Sequence, residues 1–238
     1  MSGITKIEWT DASWNPVTGC TKISDGCQNC YAATLTRRLV AMHNPRYTNG
    51  FEVTIHNDLI DLPTKWKTPK RIFVNSMSDI FHEKVPDEVI LKIFNTMNKC
   101  PQHTFQVLTK RPERLITLNE RIKWTPNIWM GVTIENNKYL SRADTLRATN
   151  ASVKFISAEP LLSGLGEINL EGIDWIIVGG ESGSHARPMQ KEWVLEIRDV
   201  AKKYGTAFFF KQWGGTNKKK AGRLLEGKTY DEYPNVDR

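Results

Sequence analysis

The chain has 238 residues, 39% of them hydrophobic, and a net charge of +7, which is typical of a globular protein with a sizeable core. No apolar stretch reaches membrane-spanning length and the first residues form no apolar signal segment, so we predict a cytoplasmic protein without a membrane partner. The positive charge permits a polyanionic partner but does not require one.

Short apolar runs, rich in β-branched and aromatic residues, recur along the chain. They are nearly continuous rather than alternating, which indicates strands buried on both faces of a parallel sheet. A first strand over 14–19 is short and has poor strand propensity. The other six predicted strands cover 72–74, 105–108, 128–132, 153–156, 175–178 and 207–210.

Segments with helical spacing separate these runs, at 32–42, 87–98, 112–122, 136–149 and 190–204, whereas 161–172 reads as a loop. Alternating strands and helices predict an α/β fold of βα units. A complete eight-stranded barrel normally takes about 250 residues. We therefore predict an incomplete (β/α) TIM-like barrel of about six to seven parallel strands, with a doubly wound sheet as the alternative.

The predicted barrel occupies residues 1–213 as a single domain, because no linker or shift in composition divides it. Residues 44–70 form an insertion of undefined structure. The remaining residues, 214–238, are rich in Lys and Gly and are predicted to form a basic, partly ordered extension.

Three of the four cysteines, Cys20, Cys27 and Cys30, fall within eleven residues. An odd number of clustered cysteines does not form a disulfide framework, whereas thiolates at this spacing can converge on a soft metal centre. No further Cys or His nearby completes a closed zinc site, and Cys100 is distant. Three protein ligands leave one coordination position vacant, and a vacant position is where metals do chemistry.

Polar or charged residues follow each predicted strand directly. In a βα barrel these strand ends open on the face that carries the active site. Exposure to water explains one or two polar ends, but carboxylates or cations at six of them, beside a cysteine cluster, favour a functional site.

Several motifs resemble those of known proteins. The strings NPVTGC at 15–20 and CQNCY at 27–31 resemble the cluster loop of the radical S-adenosylmethionine (radical-SAM) superfamily. The usual spacing there is three residues and then two, whereas here it is six and then two, as in a phage-associated three-cysteine family related to radical-SAM enzymes. The resemblance covers nearly the whole chain and extends to FVNSMSDIFH at 73–82, LTKRPE at 108–113, VGGESG at 178–183 and KQWGG at 211–215.

This resemblance implies a [4Fe–4S] cluster held by Cys20, Cys27 and Cys30, whose fourth iron binds the amino and carboxylate groups of S-adenosylmethionine. An electron donor would reduce the cluster, and reductive cleavage of the sulfonium would give a 5′-deoxyadenosyl radical. In that superfamily a Gly-Gly-Glu string after the second strand holds the cofactor's amino group. Here that string follows the sixth strand, so we do not carry the role over to Glu181.

Position along the predicted barrel gives other candidates for the cofactor. Ser76, Ser78 and Asp79 end the second strand, which makes them candidates for the amino group. Thr133, Glu135 and Glu159 are predicted to lie toward the adenosine.

On the substrate side, the cations Lys110, Arg111 and Lys211, together with Glu181 and Trp213, are predicted to line the free part of the mouth. Three cations around an aromatic ring suit a phosphate that carries a stackable base. The simpler interpretation is that the lysines only neutralise neighbouring carboxylates.

Two classes of function follow. One is a radical-SAM-type enzyme that acts on an unknown substrate such as a nucleotide or nucleic acid, with a further protein partner left open. The other is a metal-stabilised nucleic-acid-binding module, with zinc or an iron–sulfur cluster, that performs no catalysis. The six polar strand ends favour the enzyme, because a structural site would not need them.

Overall fold

The computed structural model describes residues 3–235, except for the side chains of Lys218 and Lys219. The strands are β1 (Gly3–Ile4), β2 (Ala12–Trp14), β3 (Val17–Thr18), β4 (Thr54–Ile55), β5 (Arg71–Val74), β6 (Thr104–Thr109), β7 (Ile128–Thr133), β8 (Val153–Ala158), β9 (Trp175–Gly179) and β10 (Ala207–Gln212). The α-helices are α1 (Tyr31–Ala41), α2 (Asn57–Ile60), α3 (Asp87–Asn98), α4 (Pro112–Leu118), α5 (Ser141–Arg147), α6 (Lys191–Tyr204) and α7 (Lys218–Ala221). Short 3₁₀ turns cover Asp25–Cys27, Pro45–Tyr47, Leu62–Lys65 and Asn137–Tyr139.

Eight strands form one sheet in the order β1-β2-β5-β6-β7-β8-β9-β10. The seven strands from β2 to β10 are parallel, whereas β1 is antiparallel to β2. The order follows the chain without the reversal of a doubly wound sheet, so that alternative is wrong. The predicted incomplete barrel of parallel strands is confirmed.

The sheet curls strongly. Trp9, just before β2, and Trp175, at the start of β9, belong to distant positions in the strand order, yet their ring centroids are 6.1 Å apart. Near the same end of the sheet, the Arg71 guanidinium at the start of β5 lies 4.4 Å from the ring centroid of Tyr233, which follows β10. These contacts close the amino end of a half-barrel.

Two hydrophobic cores cover the two faces of the sheet. The outer core lies between the sheet and the helices, and Ile90, Ile93, Phe94 and Met97 of α3 belong to it, as the predicted apolar stripe requires. The inner core fills the lower part of the barrel, near the amino ends of the strands. Its buried members are Trp9, Phe73, Trp129, Val153, Phe155, Trp175, Ile177 and Phe209.

The first predicted strand, 14–19, is wrong in its position. The strand that joins the barrel is β2, and it ends at Trp14, because Pro16 has no N–H to continue the ladder. Beyond it, β3 pairs instead with β4 in a separate two-stranded ribbon. The His56 N–H donates to the Pro16 carbonyl at 2.8 Å, which ties residues 44–70 to the loop after β2.

Two helices are shorter than predicted. The helix predicted over 112–122 ends at Leu118, and the one predicted over 136–149 divides into a 3₁₀ turn and α5. The division follows from Asn136, whose side chain accepts a hydrogen bond from the Lys138 N–H and begins the turn.

The residues after β10 run back along its free edge. The Phe210 N–H donates to the Tyr230 carbonyl at 2.9 Å, and the Glu232 N–H donates to the Phe208 carbonyl at 3.3 Å. This antiparallel contact covers an edge strand that would otherwise expose unpaired backbone groups. Residues 236–238 of the predicted extension lie outside the described residues. Within 3–235, no helix combines the length and hydropathy needed to cross a membrane.

Candidate cluster and cofactor site

The carboxyl ends of the parallel strands surround a cavity of about 440 Å³. The cysteine loop, which we define as residues 20–30, forms one part of its wall. Twelve of the predicted site residues line this cavity: Cys20, Cys27, Cys30, Ser76, Ser78, Asp79, Lys110, Arg111, Thr133, Glu159, Glu181 and Lys211.

A glycine sets the entry to the cysteine loop. Gly19 has φ of +83°, and a Cβ at this position would lie 2.1 Å from the Glu52 carbonyl oxygen. Only glycine allows this backbone approach. The next residue, Cys20, donates its N–H to the Phe51 carbonyl at 3.2 Å, so the inserted segment 44–70 supports the loop from outside.

All four cysteines are free thiols. Burial, together with the charge of Asp79, raises the pKa of Cys20 to about 11. Burial acts in the same direction on Cys27, but hydrogen bonds from the Ile23 backbone and the Ser24 hydroxyl, with the charge of Lys110, lower the pKa of that thiol. Among residues 3–235, no three His, Cys, Asp or Glu side chains converge closely enough to hold a single metal ion.

Asp79 and Arg111 form the first of three ion pairs that contact the cysteine loop, at 3.4 Å. The Asp79 carboxylate accepts hydrogen bonds from the Thr109 hydroxyl at 2.8 and 2.9 Å and from the Lys110 N–H at 3.0 Å. The Arg111 guanidinium donates to Cys20 Sγ at 3.6 Å and to the Thr21 hydroxyl at 3.0 Å. The pair therefore fixes the start of the loop.

Glu135 and Arg142 form the second pair, at 2.9 Å, and it is buried. The other Glu135 oxygen accepts a hydrogen bond from the Ser24 hydroxyl in the cysteine loop. Glu135 therefore supports the loop from behind and does not line the cavity. The sequence predicts Glu135 at the cofactor, but the structure places it behind the loop, because β7 ends at Thr133 and the chain then turns outward.

Glu181 and Arg187 form the third pair, at 2.6 Å. Glu181 also accepts a hydrogen bond from the Asn29 side chain at 3.0 Å, and Arg187 donates to the Asp25 carbonyl at 3.0 Å. Burial favours the neutral form of Glu181, but the hydrogen bonds from Arg187 and Asn29 outweigh it and lower the pKa of the carboxyl. This pair fixes the end of the loop.

Each of the three pairs combines a carboxylate predicted from the sequence with an arginine. Arg142 and Arg187 were not among the predicted site residues. A usable signal exists, since each arginine follows its carboxylate by seven and six residues, within the segment that leaves the same strand.

Glu159 and Lys211 pair across the cavity wall at 3.0 Å. Glu159 also accepts a hydrogen bond from the Ser157 hydroxyl at 3.3 Å. For Lys211, the ion pair agrees with the simpler interpretation of the sequence, in which a lysine neutralises a neighbouring carboxylate instead of binding a phosphate. A Cβ at Gly179 would lie 2.5 Å from Glu159 Oε1, so the glycine makes room for the carboxylate.

The serines at the end of β5 are engaged with the chain itself. Ser76 exchanges hydrogen bonds with the Asn15 side chain at 3.1 and 3.2 Å, and the Ser78 hydroxyl donates to the Val17 carbonyl at 3.0 Å. They fasten the end of β5 to the segment that leads into the cysteine loop.

Trp213 lies away from the cavity. Its ring packs on Phe210 with centroids 4.9 Å apart, and its Nε1 donates to the Leu224 carbonyl at 2.9 Å. The pairing of β10 with β9 shifts register between Phe210 and Gln212, so the inward and outward positions change there. Gln212 lines the cavity instead.

The curled sheet and the loop after its first parallel strand define the class of fold. Among solved structures, a single-residue variant of spore photoproduct lyase, a radical-SAM enzyme, matches with a TM-score of 0.57 and 12% identity over 89% of this chain and 81% of that chain. Spore photoproduct lyase complexed with dinucleoside spore photoproduct gives the same TM-score and identity over 91% and 79%. A variant with bound AdoMet and dinucleoside spore photoproduct gives 0.52 and 12% over 86% and 64%.

The chain thus has the half-barrel fold of these enzymes. It belongs to the family DUF5131, described as proteins of unknown function, whose pattern matches residues 4–234. No relative is found among curated protein sequences.

Proposed function

We propose that this protein is a radical-SAM-type iron–sulfur enzyme that binds a [4Fe–4S] cluster through Cys20, Cys27 and Cys30, together with S-adenosylmethionine. One observation carries the proposal: three free thiols of one loop line a single cavity at the carboxyl edge of this half-barrel. When bound, the cluster supplies the electron that cleaves the sulfonium of S-adenosylmethionine reductively.

The donor set fits a cluster better than a single ion. A structural zinc ion needs four ligands around one point. Within residues 3–235 no such convergence occurs, although the three thiols face the same cavity. The thiolates of a four-iron cluster bind different irons, so they need not meet at one point. Three thiolates leave one iron for the cofactor.

The remaining residues have supporting roles in this proposal. The three ion pairs hold the cysteine loop, and the charge of Lys110 acts on the Cys27 thiol. The amino-acid end of the cofactor would lie near Ser76, Ser78 and Asp79, and its adenosine toward Glu159.

The proposed substrate is a nucleotide or a nucleic acid. The net charge of +7 supports a phosphate-bearing partner. A structurally similar enzyme is complexed with a dinucleoside. The proposal also includes an electron donor, a cytoplasmic location in which thiols stay reduced, and the phage association implied by the cysteine motif.

The first test replaces each cysteine by alanine and measures iron and sulfide after anaerobic reconstitution. We expect a brown protein with about four irons per chain for wild type. Each of Cys20→Ala, Cys27→Ala and Cys30→Ala should lose most of this iron. Cys100→Ala is the matched control, because Cys100 is buried in the outer core.

A cluster that survives Cys27→Ala but not Cys100→Ala would show that the ligands are assigned wrongly. A colourless protein that retains zinc would favour the alternative, a metal-stabilised nucleic-acid-binding module without catalysis. Calorimetry with S-adenosylmethionine on the reconstituted protein separates the two further, since only the enzyme needs to bind it.

A further inference from the structure

Four side chains that line the cavity each carry a buried polar atom without a hydrogen-bond partner among residues 3–235: Trp9 Nε1, Asn75 Oδ1, Thr133 Oγ1 and Gln212 Oε1. All four residues are at least nine-tenths buried. Buried polar groups in folded proteins are nearly always paired, and an unpaired one destabilises the fold. Four at one cavity indicate a ligand that pairs with them.

The two amides have a fixed orientation. Asn75 Nδ2 donates to the Ser78 hydroxyl at 2.7 Å, and Gln212 Nε2 donates to the Gly180 carbonyl at 2.9 Å. Turning either amide over would place its oxygen where a donor is needed. The unpaired atoms therefore stay two carbonyl acceptors, one indole donor and one hydroxyl.

The charged groups of the cavity are largely occupied with one another. Lys211 pairs with Glu159 and Arg111 with Asp79, which leaves Lys110 as the one predicted cation without an ion pair among residues 3–235, and one lysine is not the cluster of cations expected for a phosphate. The atoms without a hydrogen-bond partner are the four uncharged ones named above. Apolar surface accompanies them, because the rings of Trp9 and Phe73 also line the cavity.

We infer that this cavity recognises an uncharged, planar, hydrogen-bonding ring of the substrate, a nucleobase, through these four atoms and the two aromatic rings. A base offers the donors and acceptors along its edge that such a set requires, and apolar faces for the rings. The inference rests on the proposed function for its nucleotide substrate, but it assigns recognition to the base rather than to the phosphate. The adenine of the cofactor is the other source of such a ring.

Two substitutions each remove one unpaired atom, and the first of them also keeps the shape of the side chain. Thr133→Val deletes the hydroxyl, and Trp9→Phe deletes the indole N–H. If these atoms serve only the fold, their removal leaves ring binding unchanged. If they bind a ring, the ring binds about three- to tenfold more weakly in both variants, which is the usual effect of one lost hydrogen bond. Thr133→Val should leave the fold equally or more stable, whereas Trp9→Phe loses some stability because its smaller ring fills less of the inner core.

Thr36→Val is the matched control. Thr36 lies on α1, is buried, and its Oγ1 also has no hydrogen-bond partner among the described residues, but it does not line the cavity. It should gain stability as Thr133→Val does and leave ring binding unchanged.

Titration calorimetry on the reconstituted protein measures this directly, with adenosine, guanosine, cytidine, uridine and thymidine as probes and ribose 5-phosphate as the phosphate-only probe. Each titration is run with and without saturating S-adenosylmethionine. We expect at least one nucleoside to bind in the presence of the cofactor, to bind more tightly than ribose 5-phosphate, and to weaken in Thr133→Val and Trp9→Phe.

Three results would overturn the inference: no nucleoside binds, ribose 5-phosphate binds better than every nucleoside, or the two variants bind nucleosides as wild type does. Displacement of the nucleoside by S-adenosylmethionine would also overturn it, because the ring site would then belong to the cofactor. Failure of the proposed function looks different, since the protein would then lack iron or would not bind S-adenosylmethionine at all.

Discussion

The interior of the barrel has two halves: the same strands contribute apolar side chains to the lower half and polar side chains to the upper half. On β8, Phe155 faces the lower half, while Ser157, two residues later on the same face, and Glu159, directly after the strand, reach the cavity above. On β10, Phe209 lies below and Lys211 above. Inward positions near the amino ends of the strands thus make a packed core, and those near the carboxyl ends make a site.

The lower half is closed by aromatic rings around Trp175. Its ring centroid lies between 5.1 and 6.1 Å from those of its neighbours, and its Nε1 donates to the Glu232 carbonyl at 2.8 Å. The neighbouring rings are Trp9, Trp129, Phe155, Phe209 and Tyr233. The upper half has no such packing and depends instead on ion pairs to hold its loop. Stability and chemistry therefore occupy different layers of one barrel.

Trp175→Ala should break the lower half. Removing a buried tryptophan from a packed core costs about 3–5 kcal/mol in the free energy of unfolding. Because Trp175 also holds the segment after β10, that segment should detach from the edge strand. Urea denaturation followed by circular dichroism measures the first effect, and hydrogen exchange at residues 228–233 the second.

Trp175→Phe is the control for this variant, since it keeps an aromatic ring but loses the hydrogen bond to Glu232. Its cost should be clearly smaller than that of the alanine variant. A Trp175→Ala protein as stable as wild type would mean that the rings do not hold the barrel together.

Gly131→Ala tests the boundary between the two halves. Gly131 faces inward on β7 between Trp129 below and Thr133 above, and a Cβ there would lie 2.5 Å from the Phe155 ring. The ring must move, and overpacking of this kind costs about 1–3 kcal/mol. We expect a lower urea midpoint with an unchanged slope.

The matched variant is Gly166→Ala, at a loop glycine with open space around its Cβ position but a φ of +62°. It reports the cost of backbone strain alone, without a clash in the core. A double variant, Gly131→Ala with Phe155→Leu, should recover part of the stability lost in Gly131→Ala, and no recovery would place the cause elsewhere.

The strands and the position of the cavity could be predicted from the sequence, because both depend on local patterns of apolar and polar residues. Continuous apolar runs located six of the parallel strands, and the polar residues after them located the cavity, because strand ends in a parallel sheet meet at one edge. Cys20, Cys27 and Cys30 line that cavity as the loop position requires.

Contacts that depend on the three-dimensional path of the chain were not predictable in the same way. The Ser24 hydroxyl meets Glu135 across 111 residues, and Arg187 meets the Asp25 carbonyl across 162. The sequence predicts Trp213 at the site because it stands beside Lys211 at a strand end, but the register shift in β10 reverses the faces just before it. Trp9 lies before β2 and outside any periodic segment, so no sequence pattern predicts its place at the cavity.

The upper half should respond to Arg187→Gln, with a small effect on global stability and a clear local one. Arg187 is partly exposed while Glu181 is buried, so the pair lies between a surface and a buried ion pair, and its loss should cost on the order of 1 kcal/mol. The cysteine loop, however, loses its contact with the end of β9. Trypsin cleavage after the exposed Lys22, followed by mass spectrometry on the protein without iron, reports opening of that loop.

We expect cleavage after Lys22 to be faster in Arg187→Gln, and in Glu181→Gln, than in wild type. Arg198→Gln is the control, because Arg198 forms ion pairs with Asp199 and Glu226 on α6 and near the end of the chain, away from the loop. Both carboxylates are more exposed than Glu181, so its unfolding free energy should change by no more than that of Arg187→Gln, while cleavage after Lys22 stays at the wild-type rate. Equal cleavage in all the proteins would mean that the loop is held by its own turns and by the other two ion pairs, so that the pair at the end of β9 serves the barrel rather than the cysteines.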